Sequence, residues 1–483
     1  MNWFLIAEIA YALILIAVML RVIYDSSNVT KTLAYLILII FLPVGGMLLY
    51  FAVGINYRKR KLYSRKIIVD DVLARDLPKD VGRYSTGGTN EADMKKDIGL
   101  ANLLLAESSS PLTCGNKVEL HVNGEQKFPA VLHAIRNAKH HIHLEYYIIE
   151  TDSTGWSVAN ELIKKAGEGL KIRIIYDAYG SRKMSNEYVH ALEKAGIEIY
   201  PFYKIYFPIF ANRLNFRNHR KIIIIDGKLA FLGGINISRR YVNSPDNSSG
   251  TYWRDTHLQI NGPGVKYLQY LFLCDWNFCS DQSLQPDQEL FPPFQEPHAN
   301  GGSMVQIAAS GPDSNAPSIL FSILKAIHLA KKEILITTPY FIPGESLFNA
   351  MLIASYSGIR IRLLVPGITD SKVVKYASRS FYRDLLEAGV EIYEYKKGFI
   401  HAKTLIIDNR VAMVGTANMD LRSFDLNFEV NAILYDRTLA MQLSDIFKED
   451  LKEAEKIELK RWIRRPVYQK FFEKTASLFS PLL

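Results

Sequence analysis

"HRKIIIID", residues 219–226, sets a histidine and a lysine two positions apart, follows them with four isoleucines and ends on an aspartate. On a strand, residues two apart share a face, so His219 and Lys221 point the same way while the isoleucines run into a hydrophobic interior. An apolar run of this length fits a strand covered on both faces, as in an α/β sheet. A buried histidine is ordinary there. A buried lysine without a partner is costly, so the stretch implies an anion or a polar network facing it.

The same pattern returns 182 residues later, where "HAKTLIIDNRVAMVGTAN" (401–418) matches "HRKIIIIDGKLAFLGGIN" (219–236). Both copies obey H-x-K-x4-D-x6-G-(G or T)-x-N. Flanking segments repeat in the same order: "HIHLEYYII" against "EILITTPYFI", "GLKIRIIY" against "GIRIRLLV", and "AGIEIYPF" against "AGVEIYEY". A period this long denotes duplicated domains rather than a solenoid. Within each copy, helix-periodic and strand-like segments alternate ("AVLHAIRNAKH", "HIHLEYYII", "NELIKKAGEG", "KIRIIYD"), which predicts an α/β fold with helices on both faces of a sheet. A Pro-rich break, "QPDQELFPPFQEPHANGG" (285–302), separates the copies.

Two histidines and two lysines meeting at a pseudo-twofold axis suit a phosphate ester. Lysine ammonium groups hold the phosphate oxygens as point charges, and the Asn236 and Asn418 amides add donors. One imidazole can attack phosphorus while the other serves as general acid and then base, because histidine titrates near neutral pH. No metal or other cofactor is needed. "KHHIHLEYY" puts His141 and His143 on one strand face, but no spaced carboxylate or cysteine set completes a metal site.

The 483-residue chain carries a net charge of +9, which favours an anionic partner. Its three cysteines, Cys114, Cys274 and Cys279, fit neither a zinc signature nor a disulfide framework, and agree with a reducing, cytoplasmic setting. The first 54 residues differ in kind. Trp3–Leu20 is apolar apart from Glu8, and Leu33–Gly54 is a run of 22 uncharged residues. Read as helices, both are long enough to form a two-helix transmembrane hairpin. A cleaved signal peptide fits poorly, since there is no basic leader and a second apolar segment follows at once. Pro43, Gly45 and Gly46 could instead make the second segment a shallow re-entrant one. "NYRKRKLYSRK" (56–66) carries six basic residues and no acid, which puts everything after residue 55 in the cytoplasm. The expected organisation is a hairpin (1–55), a basic segment and polar linker (56–118), a first domain (119–300), a second (301–440) and a basic amphipathic tail (441–483). That tail includes "KRWIRRPVYQKFFEKTASLF", either an interfacial helix on anionic lipid or a segment docked on the domain, with Pro466 ending or kinking any helix.

The doubled motif is that of the phospholipase D superfamily. Together with "LPVGGMLLYFAVG" and its basic flank, "HIHLEYYI", "TTPYFIP" and the terminal "SLFSPLL", the chain resembles the bacterial cardiolipin synthases over nearly its whole length. The resemblance implies two duplicated phospholipase D-like α/β domains sharing one active site. It implies transfer of a phosphatidyl group from one phosphatidylglycerol to another, giving cardiolipin and glycerol. On this basis His219 is the nucleophile, His401 the general acid and base, and Lys221, Lys403, Asn236 and Asn418 hold phosphate. Asp226 and Asp408 belong to the motif as support, and Asp255 ("RDTH") and Glu429 ("NFEV") are the acids that orient the imidazoles, in a pairing left open. The motif alone also admits a hydrolase, another phosphatidyltransferase, or a nucleic-acid phosphodiesterase. The apolar N-terminus argues for a membrane lipid and against nucleic acid. About eleven extra residues before the first motif bring Tyr203, Tyr206, Phe207 and Phe210 together, as packing or as an acyl-chain contact.

Overall fold

The computed structural model describes residues 3–25, 29–51, 91–203, 216–243, 250–280, 282–294, 302–314, 316–478 and 480. The basic stretch 56–66 and the aromatic residues Tyr206, Phe207 and Phe210 lie outside the described residues. The chain divides into an N-terminal unit and a large α/β unit.

In the N-terminal unit, helix Trp3–Asp25 is long and apolar enough to cross a membrane. The second apolar segment is not one continuous helix, as Pro43 allowed. Helix Val29–Phe41 has 13 residues, about 20 Å of rise against roughly 30 Å of hydrocarbon. Leu42 then leaves helical geometry (φ −134°, ψ 69°) and a short helix restarts at Pro43. Proline disfavours the helical region for the residue before it, which accounts for the break. Gly46 lets the restarted helix close in, since a Cβ there would lie 2.8 Å from the Ile39 backbone. Val18, Val22, Ile39 and Tyr50 bury against one another.

Among the described residues, the α/β unit is built on one 16-stranded sheet. From its middle outward, the first half runs Thr113–Val122, Thr256–Asn261, Leu229–Gly233, Lys221–Ile225, His141–Tyr146, Lys171–Tyr176, Glu198–Pro201. The second half runs Ser303–Ser310, Asn427–Tyr435, Val411–Gly415, Thr404–Ile407, Glu333–Thr337, Arg360–Pro366, Glu391–Tyr395 in the same order. The halves join where Thr113–Val122 pairs antiparallel with Ser303–Ser310. In each half the three outer strands are parallel, as βαβ crossovers require, and the inner ones antiparallel. The repeat read from the sequence is therefore a repeat of strand order.

Two expected boundaries move. Helix Glu91–Ser108 and strand Thr113–Val122 occupy much of the stretch expected to be linker. Leu100, Ala101 and Leu104 of that helix bury in the second half's core beside Ile319, Ile323 and Ile327. Its polar composition hid a narrow apolar stripe. At the other end, residue 440 falls inside helix Arg437–Lys452, and strand Ala454–Lys456 adds to the edge of the sheet. Helices Leu459–Ile463 and Val467–Ser477 follow, separated by Pro466. Trp462 enters the core against Tyr382, with the Arg465 guanidinium 3.2 Å from its ring centroid.

Candidate active site

The two motif histidines sit just before their buried strands rather than within them. Lys221 opens strand Lys221–Ile225, and His219 precedes it, joined by the short strand Arg217–Asn218 to Asn427–Phe428 of the other half. The second copy mirrors this: Gly398–Ile400 pairs with Tyr252–Arg254 of the first half and leads into His401. The backbone N–H of His219 donates to the Phe428 carbonyl (2.9 Å) and that of His401 to the Arg254 carbonyl (2.7 Å). Each histidine is thus pinned to the residue of the opposite half that immediately precedes an acid, Phe428 before Glu429 and Arg254 before Asp255.

That crossing decides the pairing of acids and rings. Glu429 of the second half meets His219 Nδ1 at 2.9 and 3.0 Å, and Asp255 of the first half meets His401 Nδ1 at 2.7 Å. Both acids are fully buried. Burial lowers His219 to about 4, helped by Lys221 and Lys403 and opposed by Glu429. Burial lowers His401 to about 3, with Lys403 adding to it and Asp255 opposing. Burial would raise Glu429, but His219, Lys221 and the Thr416 hydroxyl hold it at about 2. At neutral pH the first pair is therefore a neutral imidazole donating Nδ1–H to a carboxylate, with the Nε2 lone pair free for attack.

Burial lowers Lys221 to about 7 and Lys403 to about 8, against the pull of Glu429 and Asp255. Lys221 Nζ donates to the His219 carbonyl at 2.6 Å and Lys403 Nζ to the His401 carbonyl at 2.5 Å, so each ammonium folds back under its own histidine. A phosphodiester anion among these groups would raise all four basic pKa values, because an opposite charge favours the protonated form.

Asn236 and Asn418 are buried at the same seam. Asn236 donates to the Tyr241 hydroxyl (2.6 Å) and accepts from the Ile148 N–H (3.2 Å), while Asn418 donates to Asp420 (3.0 Å). An amide group has two N–H bonds, so each retains one for another acceptor. Asp226 and Asp408, the motif members expected to give support, stand apart from the histidines and lysines. They lie in the turns at the far ends of the strands, about 16 Å of extended chain from the lysines. Asp226, at φ +53°, accepts the N–H groups of Lys139, His140 and His141 (2.8–3.1 Å), and Asp408 accepts those of Lys331, Lys332 and Glu333 (2.8–2.9 Å). They tie the motif hairpin to the neighbouring strand. His143 is a core residue, stacked on Phe272 and hydrogen-bonded with Gln269 and Arg173.

The Gly234/Thr416 difference between the copies has a steric cause. A Cβ on Gly234 would lie 2.1 Å from Asp255 Oδ1, so the first copy needs glycine to admit its acid. In the second copy the Thr416 hydroxyl donates to Glu429 Oε2 at 2.5 Å. Several neighbours escaped the motif reading. Tyr147 presents its ring edge-on to His219 (4.7 Å), and Tyr241 and Trp253 stand at 5.9 and 5.7 Å from His401. Asn218 anchors the approach to His219, donating from its side chain to Glu145 (2.6 Å) and from its backbone to Asp177 (3.0 Å). Arg220 points to the other face and pairs with Asp275. The alternation of "NHRK" signalled opposite faces but named no partners. A cleft of 460 Å³ is lined by Arg240, Asp370, Trp253 and Phe399 among others, and the last two stand 5.7 Å from the His401 ring.

Comparison with known proteins identifies the family. A family model described as "Cardiolipin synthase, PLD-like domain" matches residues 131–251 and 323–451, one span per half, and one described as "Phospholipase_D-nuclease N-terminal" matches 12–54. A Bacillus anthracis protein named cardiolipin synthase 2 is 39% identical over 465 residues, 95% of this chain and 88% of that one. An Alkalihalophilus pseudofirmus protein named cardiolipin synthase is 39% identical over 483 residues, covering 99% and 93%. The crystal structure of a phosphatidylserine synthase from Haemophilus influenzae shares the fold, with a TM-score of 0.61, 15% identity, and coverage of 81% of this chain and 100% of that one. With matches spanning both halves of the doubled motif and nearly the full chain, this protein belongs to the cardiolipin synthase family of phospholipase D-like proteins.

Proposed function

We propose that the chain makes cardiolipin from two molecules of phosphatidylglycerol by two displacements at phosphorus. The observation that carries the mechanism is the crossed pairing of Glu429 with His219 and Asp255 with His401, which directs both Nε2 atoms away from their acids. In the first step His219 Nε2 attacks phosphorus; the P–N bond forms, the P–O bond to the headgroup glycerol breaks, and His401 gives that oxygen its proton. In the second step His401 takes a proton from a glycerol hydroxyl of another phosphatidylglycerol, whose oxygen displaces His219. Lys221, Lys403, Asn236 and Asn418 stabilise the charge on the non-bridging oxygens, an electrostatic contribution that is strong in a buried site. Bound phosphate raises His401 toward the protonated form, the direction its role as an acid requires. Asp226 and Asp408 take no part in the proton transfers.

Incubating the purified protein with phosphatidylglycerol vesicles tests the reading. Cardiolipin with one glycerol released per molecule supports it, whereas phosphatidic acid alone would assign a hydrolase. The halves 119–300 and 301–440, extended as described above, are read as duplicated domains sharing this centre. The N-terminal segments are read as holding the chain in the membrane with the catalytic region in the cytoplasm, supported by the basic stretch 56–66. Labelling a cysteine placed at residue 60 in intact cells would contradict that orientation.

A further inference from the structure

Helix Val467–Ser477 is amphipathic, but it packs the wrong way round for water. Its buried positions are Glu473 and Ala476. Glu473 is held by Arg465 (2.5 and 3.0 Å) and Arg379 (3.6 Å). Its outward stripe is Val467, Phe471 and Leu478 with Lys474, at the i, i+4, i+7, i+11 spacing of one helical face, and Phe472 flanks it. Phe471 is 67% exposed and Leu478 77%. A helix on a water-facing surface buries its apolar stripe and leaves acids outside; here the acid is inside and the phenylalanines are out.

The neighbouring helix Lys372–Arg379 extends the same face. Ala377 buries against Ala476 and Ile342, while Val373 and Tyr376 remain exposed, with Tyr376 6.4 Å from Phe472. Ile368, also exposed, lies just before this helix and lines the 460 Å³ cleft. Ile342 pairs with Asp420, which accepts from Asn418. The apolar face therefore runs from the cleft walled by Trp253 and Phe399, neighbours of His401, onto the C-terminal helix. The charge of its C-terminal part is one-sided: residues 459–478 hold six basic side chains and one acid, Glu473, which is buried, while the cleft end carries the exposed Asp370. Lys460, Arg461, Arg464 and Lys474 are exposed.

We infer that this face is a second membrane-contact surface, which beds helix Val467–Ser477 into an anionic lipid interface and brings the cleft mouth to the headgroups. Phenylalanines flanked by lysine and arginine suit the headgroup–acyl boundary of anionic lipid, where both the apolar area and the charge are satisfied. The inference deepens the proposed reaction, because the substrate is then drawn from the surface on which the face rests.

The test uses the full chain reconstituted in vesicles, with an environment-sensitive fluorophore on Phe471→Cys in a Cys279→Ser background. His190→Cys, whose side chain is 87% exposed, serves as the reference. In phosphatidylglycerol vesicles carrying brominated acyl chains, the label at 471 should shift to the blue and be quenched, and the label at 190 should not. A label at 471 as wet as that at 190 would overturn the inference. So would shielding without bromolipid quenching that grows with protein concentration, since that identifies a second copy of the chain as the occupant. In parallel, Phe471→Ser/Phe472→Ser should raise the apparent KM for vesicular phosphatidylglycerol about tenfold, as expected from losing part of two aromatic burials, and leave turnover of detergent-dispersed lipid unchanged. Insertion without cardiolipin synthesis would refute the proposed reaction alone. Synthesis with position 471 in water would refute this inference alone.

Discussion

Replacing Glu429 by glutamine perturbs the crossed acids most directly. The carboxylate accepts Nδ1–H of His219 at 2.9 and 3.0 Å and also accepts from Thr416 at 2.5 Å. Glutamine keeps the shape but can turn its NH2 toward Nδ1. That favours the tautomer with the proton on Nε2 and removes the attacking lone pair. A charge-assisted hydrogen bond of this kind contributes about 1.5–3 kcal/mol, so phosphatidyl-enzyme formation should slow by about 10- to 100-fold. Although Glu429 lies in the second half, its loss should resemble damage to the first-half nucleophile. A p-nitrophenyl ester of phosphatidic acid separates the roles, because its leaving group needs no general acid. With that substrate Glu429→Gln should lose the burst of p-nitrophenol, and Asp255→Asn should retain it. An intact burst in Glu429→Gln together with a lost burst in Asp255→Asn would reverse the assignment of nucleophile and acid.

Gly234→Thr should displace the Asp255 carboxylate and lower activity by about 10- to 100-fold, and Gly234→Thr/Asp255→Glu, which copies the Thr416–Glu429 arrangement, should recover part of it in the same lipid assay. Asp226→Ala should cost about 2–4 kcal/mol in denaturant unfolding through the loss of three backbone hydrogen bonds, yet leave the activity of the folded fraction close to normal. Raising pH from 7 to 9 should increase the KM for phosphatidylglycerol, since Lys221 and Lys403 lose protons from about 7 and about 8. Over the same range the lipid-free protein should become more stable. Unfolded lysines, at 10.5, bind more protons there than these two do when folded, so unfolding is disfavoured as pH rises. The rise in thermal midpoint should shrink in Lys221→Met.

The duplication was legible because buried strands tolerate few substitutions, so "HRKIIIID" and "HAKTLIID" kept both their spacing and their apolar runs. The order of strands was not legible; the structure shows that each copy repeats it. What resisted reading were contacts made across the seam. Sequence places Asp255 nearer His219, and nothing in either motif says that each acid serves the other half's histidine; that depends on Arg217–Asn218 and Gly398–Ile400 exchanging strand partners. The polar stretch before residue 118 concealed Leu100 and Leu104, whose burial is set by the second half's core more than 200 residues away. Motif membership marked Asp226 as support without saying what it supports; its positive φ and three backbone donors show it to be a fastener. At the other end the basic tail left docking and lipid contact open, and composition could not say that Trp462 is the residue that docks.

The seam between Thr113–Val122 and Ser303–Ser310 has a further consequence. Two identical half-chains arranged about that axis would satisfy the same strand pairings and the same exchange of acids, as in a closed twofold dimer. Such a dimer must treat its two histidines alike, because any substitution appears on both sides of the axis. Joining the halves in one polypeptide lifts that constraint. Glycine can face an aspartate on one side while threonine grips a glutamate on the other, and a reaction that needs one nucleophile and one acid acquires a chain in which the two can differ.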